Sequence, residues 1–348
     1  MTNLRIVIPA IDEAETLPGL LDDLAAQQAV DPEIVVADGG SRDATRRVCA
    51  ERGVDWRPAR PGRGRQMNAG AADFTGEWLL FLHADSRFSS PRQLAAALTC
   101  LEAAGPDSVG HFPLEFAIDG EPAPGFLYRF MAAKTASGRR YAINGDQGLL
   151  LRRALFEAIG GFEQHLAFLE DQRIVARIRP RARLVCLPHR LQTSARRFAV
   201  EGPMRRYALM GLIMAMYVAE LDSFFDAAPG VYARQSQTRA LALRPFVRLA
   251  LATLEAQRPV GRAAALWRLA DALRGQSWQV ALALDVLCGR TDGRSRPITR
   301  CHDSVTARLP GGSIVRVVLF FVLALVVFGP AWCFRLFHRR SGLPTMAT

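Results

Sequence analysis

The first 110 residues alternate between two kinds of pattern, and that alternation restricts the fold more than any other feature. Leu4–Pro9 is a β-rich apolar run, and Leu17, Leu20, Leu21 and Leu24 then recur at helical spacing. Glu33–Ala37 predicts a second strand that stops at Asp38-Gly39-Gly40-Ser41, with Ser41 placed to cap a helix over Asp43–Arg52. Val54–Arg57 predicts a short third strand, and Gly62-Arg63-Gly64-Arg65 leads into a helix across Gln66–Asp73. Glu77–Leu82 predicts a fourth strand running into His83-Ala84-Asp85. Strands that alternate with helices pair in parallel, with the helices as crossovers. Ligands of such sheets sit beyond the carboxyl ends of the strands. Asp12 and Glu13 follow the first strand, Asp38 the second and Asp85 the fourth. Patterning alone does not require acids at all these ends.

Residues 110–200 are more mixed. A strand is expected over Val109–Ala117, an apolar segment near Phe126–Ala133, and a loop at Asn144-Gly145-Asp146-Gln147-Gly148. Leu149–Leu151 and Val185–Leu187 read as strands, and Glu170-Asp171 as the first turn of a helix, where carboxylates are favoured. Beyond residue 203 the chain is strongly helical. Tyr207–Ala219 is apolar for 13 residues, too short to cross a bilayer. Residues 238–288 are rich in Ala, Leu and Arg, which suits either an amphipathic region lying on a membrane or the solvated face of a helical bundle. Gly289–Gly312 reads as a polar linker. Val317–Phe334 holds 18 residues without a charge, just enough for one transmembrane helix. Gly329-Pro330 interrupts it late, and Trp332 is placed as an interfacial anchor. Arg290, Arg294, Arg296, Arg300, Arg308 and Arg316 precede it, whereas Arg335, Arg339 and Arg340 follow. That asymmetry places the N-terminal part in the cytoplasm, at the cell membrane. The expected division is 1–235 for an α/β domain, 236–312 for a helical region and linker, and 313–348 for the transmembrane helix with its basic tail. LRIVIPAIDE lacks the features of a signal peptide.

Composition excludes several classes. Half of the residues are hydrophobic, so wholesale disorder is excluded. The six cysteines include no CxxC pair, which excludes a dense disulfide scaffold and a zinc module. No Walker-type GxxxxGK[ST] occurs. A formal net charge of +11 points first to nucleic acid or an anionic surface. The basic residues are spread along the chain, and all but Lys134 are arginine. Nucleic acid is therefore not the expected partner; anionic lipid or a phosphorylated substrate fits better.

Acids at strand ends suit a hard divalent cation on a diphosphate, because Mg²⁺ and Mn²⁺ take oxygen ligands and keep substrate phosphates in their shell. Asp85, on a short turn after an apolar strand, is the candidate ligand; the plain alternative is a turn cap. Gly62-x-Gly64-x-x-Met67 lacks the third glycine and the position of a dinucleotide fingerprint, but a glycine-flanked arginine at a helix start suits an anion. Glu170-Asp171 offers a general base.

These residues occur in an order that resembles family 2 glycosyltransferases. The stretches are Ile8-Pro9-Ala10-x-Asp12-Glu13, Val36-Ala37-Asp38-Gly39-Gly40-Ser41-x-Asp43, Gly64-Arg65-x-x-x-Asn68-x-Gly70, Leu80–Asp85, Gly160-Gly161-Phe162 and Glu170-Asp171. Gly62–Ala71 (GRGRQMNAGA), Leu79–Asp85 (LLFLHAD), Gly145–Gly148 (GDQG) and Thr193–Arg197 (TSARR) resemble one small subgroup, sometimes associated with arsenosugar biosynthesis. The resemblance covers roughly residues 4–235. It implies the GT-A fold, a mostly parallel Rossmann-like α/β sheet with helical crossovers. It also implies inverting transfer of a sugar from a nucleoside-diphosphate-sugar to a hydroxyl acceptor, lipid-linked acceptors included.

On that resemblance Pro9, Glu13, Asp38 and Arg65 would rest against the donor nucleotide. Asp85 would hold Mg²⁺ or Mn²⁺ on the diphosphate, and Asp171 would take the acceptor proton. Asp146, Gln147 and Glu170 would shape the acceptor side. The chain departs from the family pattern at His83, which replaces the first acid of the DxD motif, at Asp38-Gly39, which replaces a pair of acids, and at Asp12, which replaces an asparagine. No QxxRW motif follows Glu170-Asp171, so a processive synthase is not expected. Two other classes fit the strand-end acids: a membrane-associated binding protein with a degenerate GT-A fold, and a nucleotidyltransferase. Asp85 and Asp171 are both present, against the first. The loop after the first strand has no lysine, against the second.

Overall fold

β1 (Leu4–Ala10) is buried along almost its whole length, as a strand with neighbours on both sides and helices on both faces must be. Its one charged residue, Arg5, is 4 % exposed; it pairs with Glu33 at 2.7 Å and Asp73 at 2.8 Å and stacks on the Phe74 ring. The computed structural model describes residues 3–165, 168–233, 241–291, 295–308 and 315–324. The chain divides into two compact units, Met1–Val200 with Asp285–Arg296, and Glu201–Leu284 with Pro297–Thr348.

In the first unit β1 is followed by α1 (Leu17–Ala25), β2 (Glu33–Asp38), α2 (Thr45–Glu51), β3 (Asp55–Pro58), α3 (Arg63–Ala71) and β4 (Trp78–Phe81). Then come β5 (Arg87–Phe88), α4 (Gln93–Ala104), β6 (Ser108–His111), β7 (Leu114–Ile118), β8 (Glu121–Pro122) and α5 (Phe126–Thr135). A 3₁₀ turn at Gly145–Gln147 precedes β9 (Leu149–Arg152), α6 (Arg153–Ala158), α7 (Glu170–Ile178), β10 (Arg183–Cys186), β11 (Leu191–Ser194) and α8 (Arg196–Glu201).

The main sheet has seven strands in the order β3-β2-β1-β4-β9-β6-β10. Only β9 runs antiparallel to its neighbours. A second sheet, β5-β11-β7-β8, takes the remaining strands. The strand expected over Val109–Ala117 is two strands in two sheets. Pro113 has no N–H to continue a ladder, and the chain leaves the main sheet there. Phe112 donates its N–H to the Gln147 carbonyl at 2.8 Å, while the Pro113 carbonyl accepts from Leu191 at 2.9 Å.

One core lies between the sheet and α3, α6 and α7, built on Val7, Phe81, Phe156, Phe162 and Ile174. The Phe81 ring meets Phe162 edge-on at 4.9 Å. Gly70 lets α3 lie against β1, since a Cβ there would stand 2.4 Å from the Val7 side chain. α3 begins at Arg63, three residues before the expected start, which brings Arg63 onto the helix. Ser41 does not cap α2, whose N-cap is Ala44, because its hydroxyl is used elsewhere.

The second unit is helical, as expected. It is built from α9 (Pro203–Val218), α10 (Asp222–Ala233), α11 (Arg244–Ala256), α12 (Pro259–Gly275), most of α13 (Trp278–Leu287) and α14 (Pro297–Arg308). Leu209, Val231, Leu241 and Phe246 form a core of their own. α14 lies inside the stretch read as a polar linker, so Gly289–Gly312 is not linker throughout. Residues 315–324 are helical, and Phe320 there packs on Trp267 of α12. Among the described residues no helix is long and apolar enough to cross a membrane. Most of the span expected over Val317–Phe334 lies outside the described residues.

Candidate active site

The carboxyl ends of β1 and β2 carry two loops clasped by side chains. Asp38 accepts hydrogen bonds at Oδ1 from the Gly40 amide (2.9 Å), the Ser41 amide (2.8 Å) and the Ser41 hydroxyl (2.8 Å). Its Oδ2 accepts from the Trp56 indole at 2.8 Å. Burial pushes its pKa up, but the Ser41, Trp56 and Gly40 donors outweigh burial and hold it below the usual carboxylate range. Ser41 in turn accepts from the Asp12 amide (2.9 Å), and Asp12 accepts from the Arg42 amide (2.7 Å). Asp43 accepts from the Ala14 amide, and Thr45 from the Glu13 amide, both at 2.9 Å. Gln66, 3 % exposed, donates to the carbonyls of both Ala10 and Ala37 at 2.8 Å, locking the two strand ends together. Pro9 is half-buried beside Ala37 in the sheet, and Glu13 is half-buried with Thr16 donating to its carboxylate.

A second lock joins α3 to the Gly160-Gly161-Phe162 turn. Asn68 donates to the Phe162 carbonyl and accepts from the Phe162 amide, each at 2.8 Å. A Cβ on Gly64 would stand 2.3 Å from the Glu163 carbonyl oxygen, so only glycine fits. These contacts give a physical reason for the glycine and asparagine positions of both motifs. They fix Arg63 at the first turn of α3, where it meets Glu170 on α7 at 3.0 Å. Arg65 is exposed and donates to the Pro61 carbonyl.

The acids gather where α3, α7, the Gly145–Gln147 turn and the turn after β4 meet. His83 closes that turn by accepting from the Ser86 amide at 3.1 Å, which presents Asp85. Asp171 accepts from the Gly145 amide at Oδ2 and the Gln172 amide at Oδ1, both at 2.7 Å. Burial and then the neighbouring Glu170 push the Asp171 pKa up to about 6. Burial, then Asp171 and Asp85, push Asp146 up to about 7. Burial also raises Asp85 and Glu13, against the pull of Arg197 on both. His83 is held well below its usual pKa by burial, then by Arg63 and Arg197. A cavity of about 20 Å³, room for roughly one water, is lined by His83, Gly145, Glu170 and Asp171 over apolar Phe81 and Phe162.

The structure therefore brings Glu13, Asp85, Asp146, Glu170 and Asp171 into one electrostatic cluster. It places two other expected site residues differently. Gln147 is fully buried, and its amide donates to His111, the Phe112 carbonyl and the Thr135 carbonyl. It shapes the loop from inside instead of facing an acceptor. Asp38 is 3 % exposed and holds its own loop. Arg63 is the glycine-flanked arginine expected to suit an anion, and Arg197 is the cation of the cluster that sequence reading did not single out. The TSARR stretch was the available signal.

The residues fit a divalent cation of the weakly held kind. Among the described residues no three His, Cys, Asp or Glu side chains form a metal cage. Mg²⁺ and Mn²⁺ need only one or two carboxylates when substrate phosphates complete the shell. Three half-buried carboxylates have raised pKa values, with Asp171 and Asp85 both acting on Asp146, and both Asp146 Oδ1 and His83 Nε2 are buried atoms without a hydrogen-bond partner among the described residues. A cation on Asp85 would relieve that repulsion.

The main sheet is thus mixed, with one antiparallel strand inserted beside β4 and acids beyond the ends of β1, β2 and β4. Residues 5–159 match the model of glycosyl transferase family 2. Over 174 residues the chain is 38% identical to the PGL/p-HBAD biosynthesis glycosyltransferase of Mycobacterium tuberculosis, covering 48% of this chain and 65% of that relative. It thus spans slightly less than two thirds of the relative's length. Among solved structures it is similar to S. aureus TarS 1-349, at 16% identity over 87% of this chain and 92% of that one, with a TM-score of 0.47. It is also similar to the mannosyltransferase PcManGT of Pyrobaculum calidifontis, solved with GDP-Man and Mn²⁺, at 17% identity, 94% and 86% coverage and a TM-score of 0.46.

Proposed function

We propose that the domain transfers a sugar from a nucleoside-diphosphate-sugar to an acceptor hydroxyl, with inversion at the anomeric carbon. The observation that carries this is Asp171. Its carboxylate is fixed by two backbone amides at 2.7 Å, is raised to about 6 by burial and Glu170, and lies in the acidic cluster that contains Asp85. A carboxylate at that pKa is ionised at neutral pH and more basic than an ordinary one, as a general base should be. Asp171 takes the acceptor proton as the hydroxyl attacks the anomeric carbon from the face opposite the leaving diphosphate. Asp85 holds Mg²⁺ or Mn²⁺, which when bound offsets charge on that diphosphate. Asp146 and Glu170 border the acceptor side of Asp171.

A thermal-shift panel of nucleotide-sugars, each with and without Mn²⁺, tests the reading. A ligand that binds only the folded state raises the melting temperature. One donor is expected to stabilise the protein, more so with Mn²⁺, and Asp85→Ala is expected to erase the Mn²⁺ increment. No shift with any donor counts against the assignment.

The membrane is the proposed place of action. The uncharged run Val317–Phe334 and exposed Met204, Val260 and Val280 in the helical unit support it, and they favour a lipid-linked acceptor at the cytoplasmic face. Deleting residues 313–348 is expected to move the protein from the membrane pellet to the supernatant in a carbonate-free flotation assay. Continued flotation would transfer the anchoring role to residues 203–288.

A further inference from the structure

We infer that Gln172, the residue after the proposed base, is a positioning residue for it: its buried amide fixes the Asn144–Gly145 turn against α7, so that the Gly145 N–H stays on the Asp171 carboxylate. The inference rests on the reading of Asp171 as the base and adds what holds that base in place.

Gln172 is 4 % exposed. Its side-chain NH₂ donates to the Ile143 carbonyl at 2.5 Å and to Asn144 Oδ1 at 3.1 Å. Gly145 follows Asn144, and its N–H meets Asp171 Oδ2 at 2.7 Å. Asp171, Gly145, Asn144 and Gln172 thus close a ring of two hydrogen bonds and two peptide links between α7 and the turn. The other side of the turn is pinned to the core. The Asn144 N–H donates to Gln147 Oε1 at 2.9 Å, and the Gln147 NH₂ reaches the Thr135 carbonyl and His111, both at 3.0 Å. The start of α7 has no such hold of its own. It is entered through Leu169, which lies in the left-handed region at φ 65° and has no polar side chain to cap the helix. Gln172 supplies the lateral tie for that first turn. The fit is close, since a Cβ on Gly145 would stand 3.0 Å from His83 Nε2 and 3.5 Å from Asp171 Cβ.

The two amides on Asp171 differ in kind. The one on Oδ1 belongs to Gln172 and moves with the helix. The one on Oδ2 comes from the turn and holds only while turn and helix keep their spacing. Hydrogen bonds to a carboxylate favour its ionised form. The Gly145 bond therefore works against the burial and the Glu170 charge that raise Asp171 to about 6. The other charged groups facing Asp171 are Arg63 from α3 and Asp146 from the turn, and a substitution at Gln172 alters neither charge. Loss of the tie lengthens the Gly145 bond and carries the carboxyl toward neutral pH, where a larger share is protonated and unable to accept a proton.

The test reads the Asp171 carboxyl directly, without a substrate. The full chain, ¹³C-labelled at its aspartate carboxyls, is titrated by NMR, and Asp171→Asn identifies the resonance. Wild type is expected to titrate at about 6. Gln172→Met keeps the size of the side chain and removes both donors. Its Asp171 should titrate about one pH unit higher or more, the worth of one hydrogen bond to a charged group. Asn144→Ala, at a half-buried position, removes the acceptor instead and should move the titration the same way; it decides the matter should Gln172→Met fail to fold. Gln93→Met is the control, because the buried Gln93 amide donates to the Arg190 carbonyl at 3.1 Å from the start of α4. It should lower the melting temperature and leave the Asp171 titration unchanged. An unchanged titration in folded Gln172→Met and Asn144→Ala overturns the role of Gln172 and leaves the base reading standing. Wild-type turnover in Asp171→Asn overturns the base reading, and this role with it.

Discussion

Asp171→Asn is expected to lower turnover by roughly 10²- to 10⁴-fold, the usual contribution of a positioned general base, while the donor still binds. The substitution is close in shape but not neutral in hydrogen bonding. Oδ1 and Oδ2 each accept from a backbone amide, so an asparagine must set its NH₂ against one of those donors. That clash costs about 1–3 kcal/mol of stability. Melting temperature is therefore measured beside turnover, and donor affinity beside both. The pH profile separates a base from a structural acid. In the wild type kcat should rise through a limb near pH 6, because Asp171 works only when ionised and burial with Glu170 has raised it to about 6. In the variant whatever rate remains should lack that limb. Wild-type turnover in Asp171→Asn would remove Asp171 from the reaction.

Gly64→Ala is expected to be among the most destabilising substitutions of one methyl group. Its Cβ would lie 2.3 Å from the Glu163 carbonyl oxygen, and backbone cannot swing aside as a long side chain does. Overpacking of this kind costs about 3 kcal/mol, or roughly 6–12 °C in melting temperature for a domain of this size. Relief requires α3 to move off the Gly160-Gly161-Phe162 turn, which strains the Asn68 pairing with Phe162 and displaces Arg63 from Glu170. Thermal unfolding checks the stability change. An unchanged melting temperature would mean that α3 and the turn are not held together as described.

The alternation of strands and helices was readable because β1, β2 and β4 are apolar runs bounded by turn residues. The acids beyond them were visible for the same reason. Short strands were not. β5 and β8 have two residues each, too few for any period to show, and Leu191–Ser194 is held in place by its partners β5 and β7. Val109–Ala117 hid a change of sheet, since periodicity does not say which sheet a strand joins. Ser41 looked like a helix cap because Ser is a common one, yet Asp38 and the Asp12 amide claim its hydroxyl. Gln147 shared a loop with Asp146 in the sequence, but the neighbours pointing inward, His111 and Thr135, come from distant segments. Arg63 drew attention through its flanking glycines, whereas Arg197 escaped notice because an arginine gains meaning only from what surrounds it. Those surroundings are assembled from α3, α7, β11 and the turn after β4.

If the proposed donor reading holds, the saturation of Asp38 bears on attempts to redirect the domain to a different donor. Its carboxylate already receives four hydrogen bonds from its own loop and from Trp56. Exchanging it would loosen the clasp between the first two loops without offering a base any new partner. On the proposed function, discrimination among nucleobases then falls to main-chain atoms along that rim and to whatever side chains project over it. An engineer seeking another nucleotide would do better to graft both clasped loops as one piece than to alter single acids.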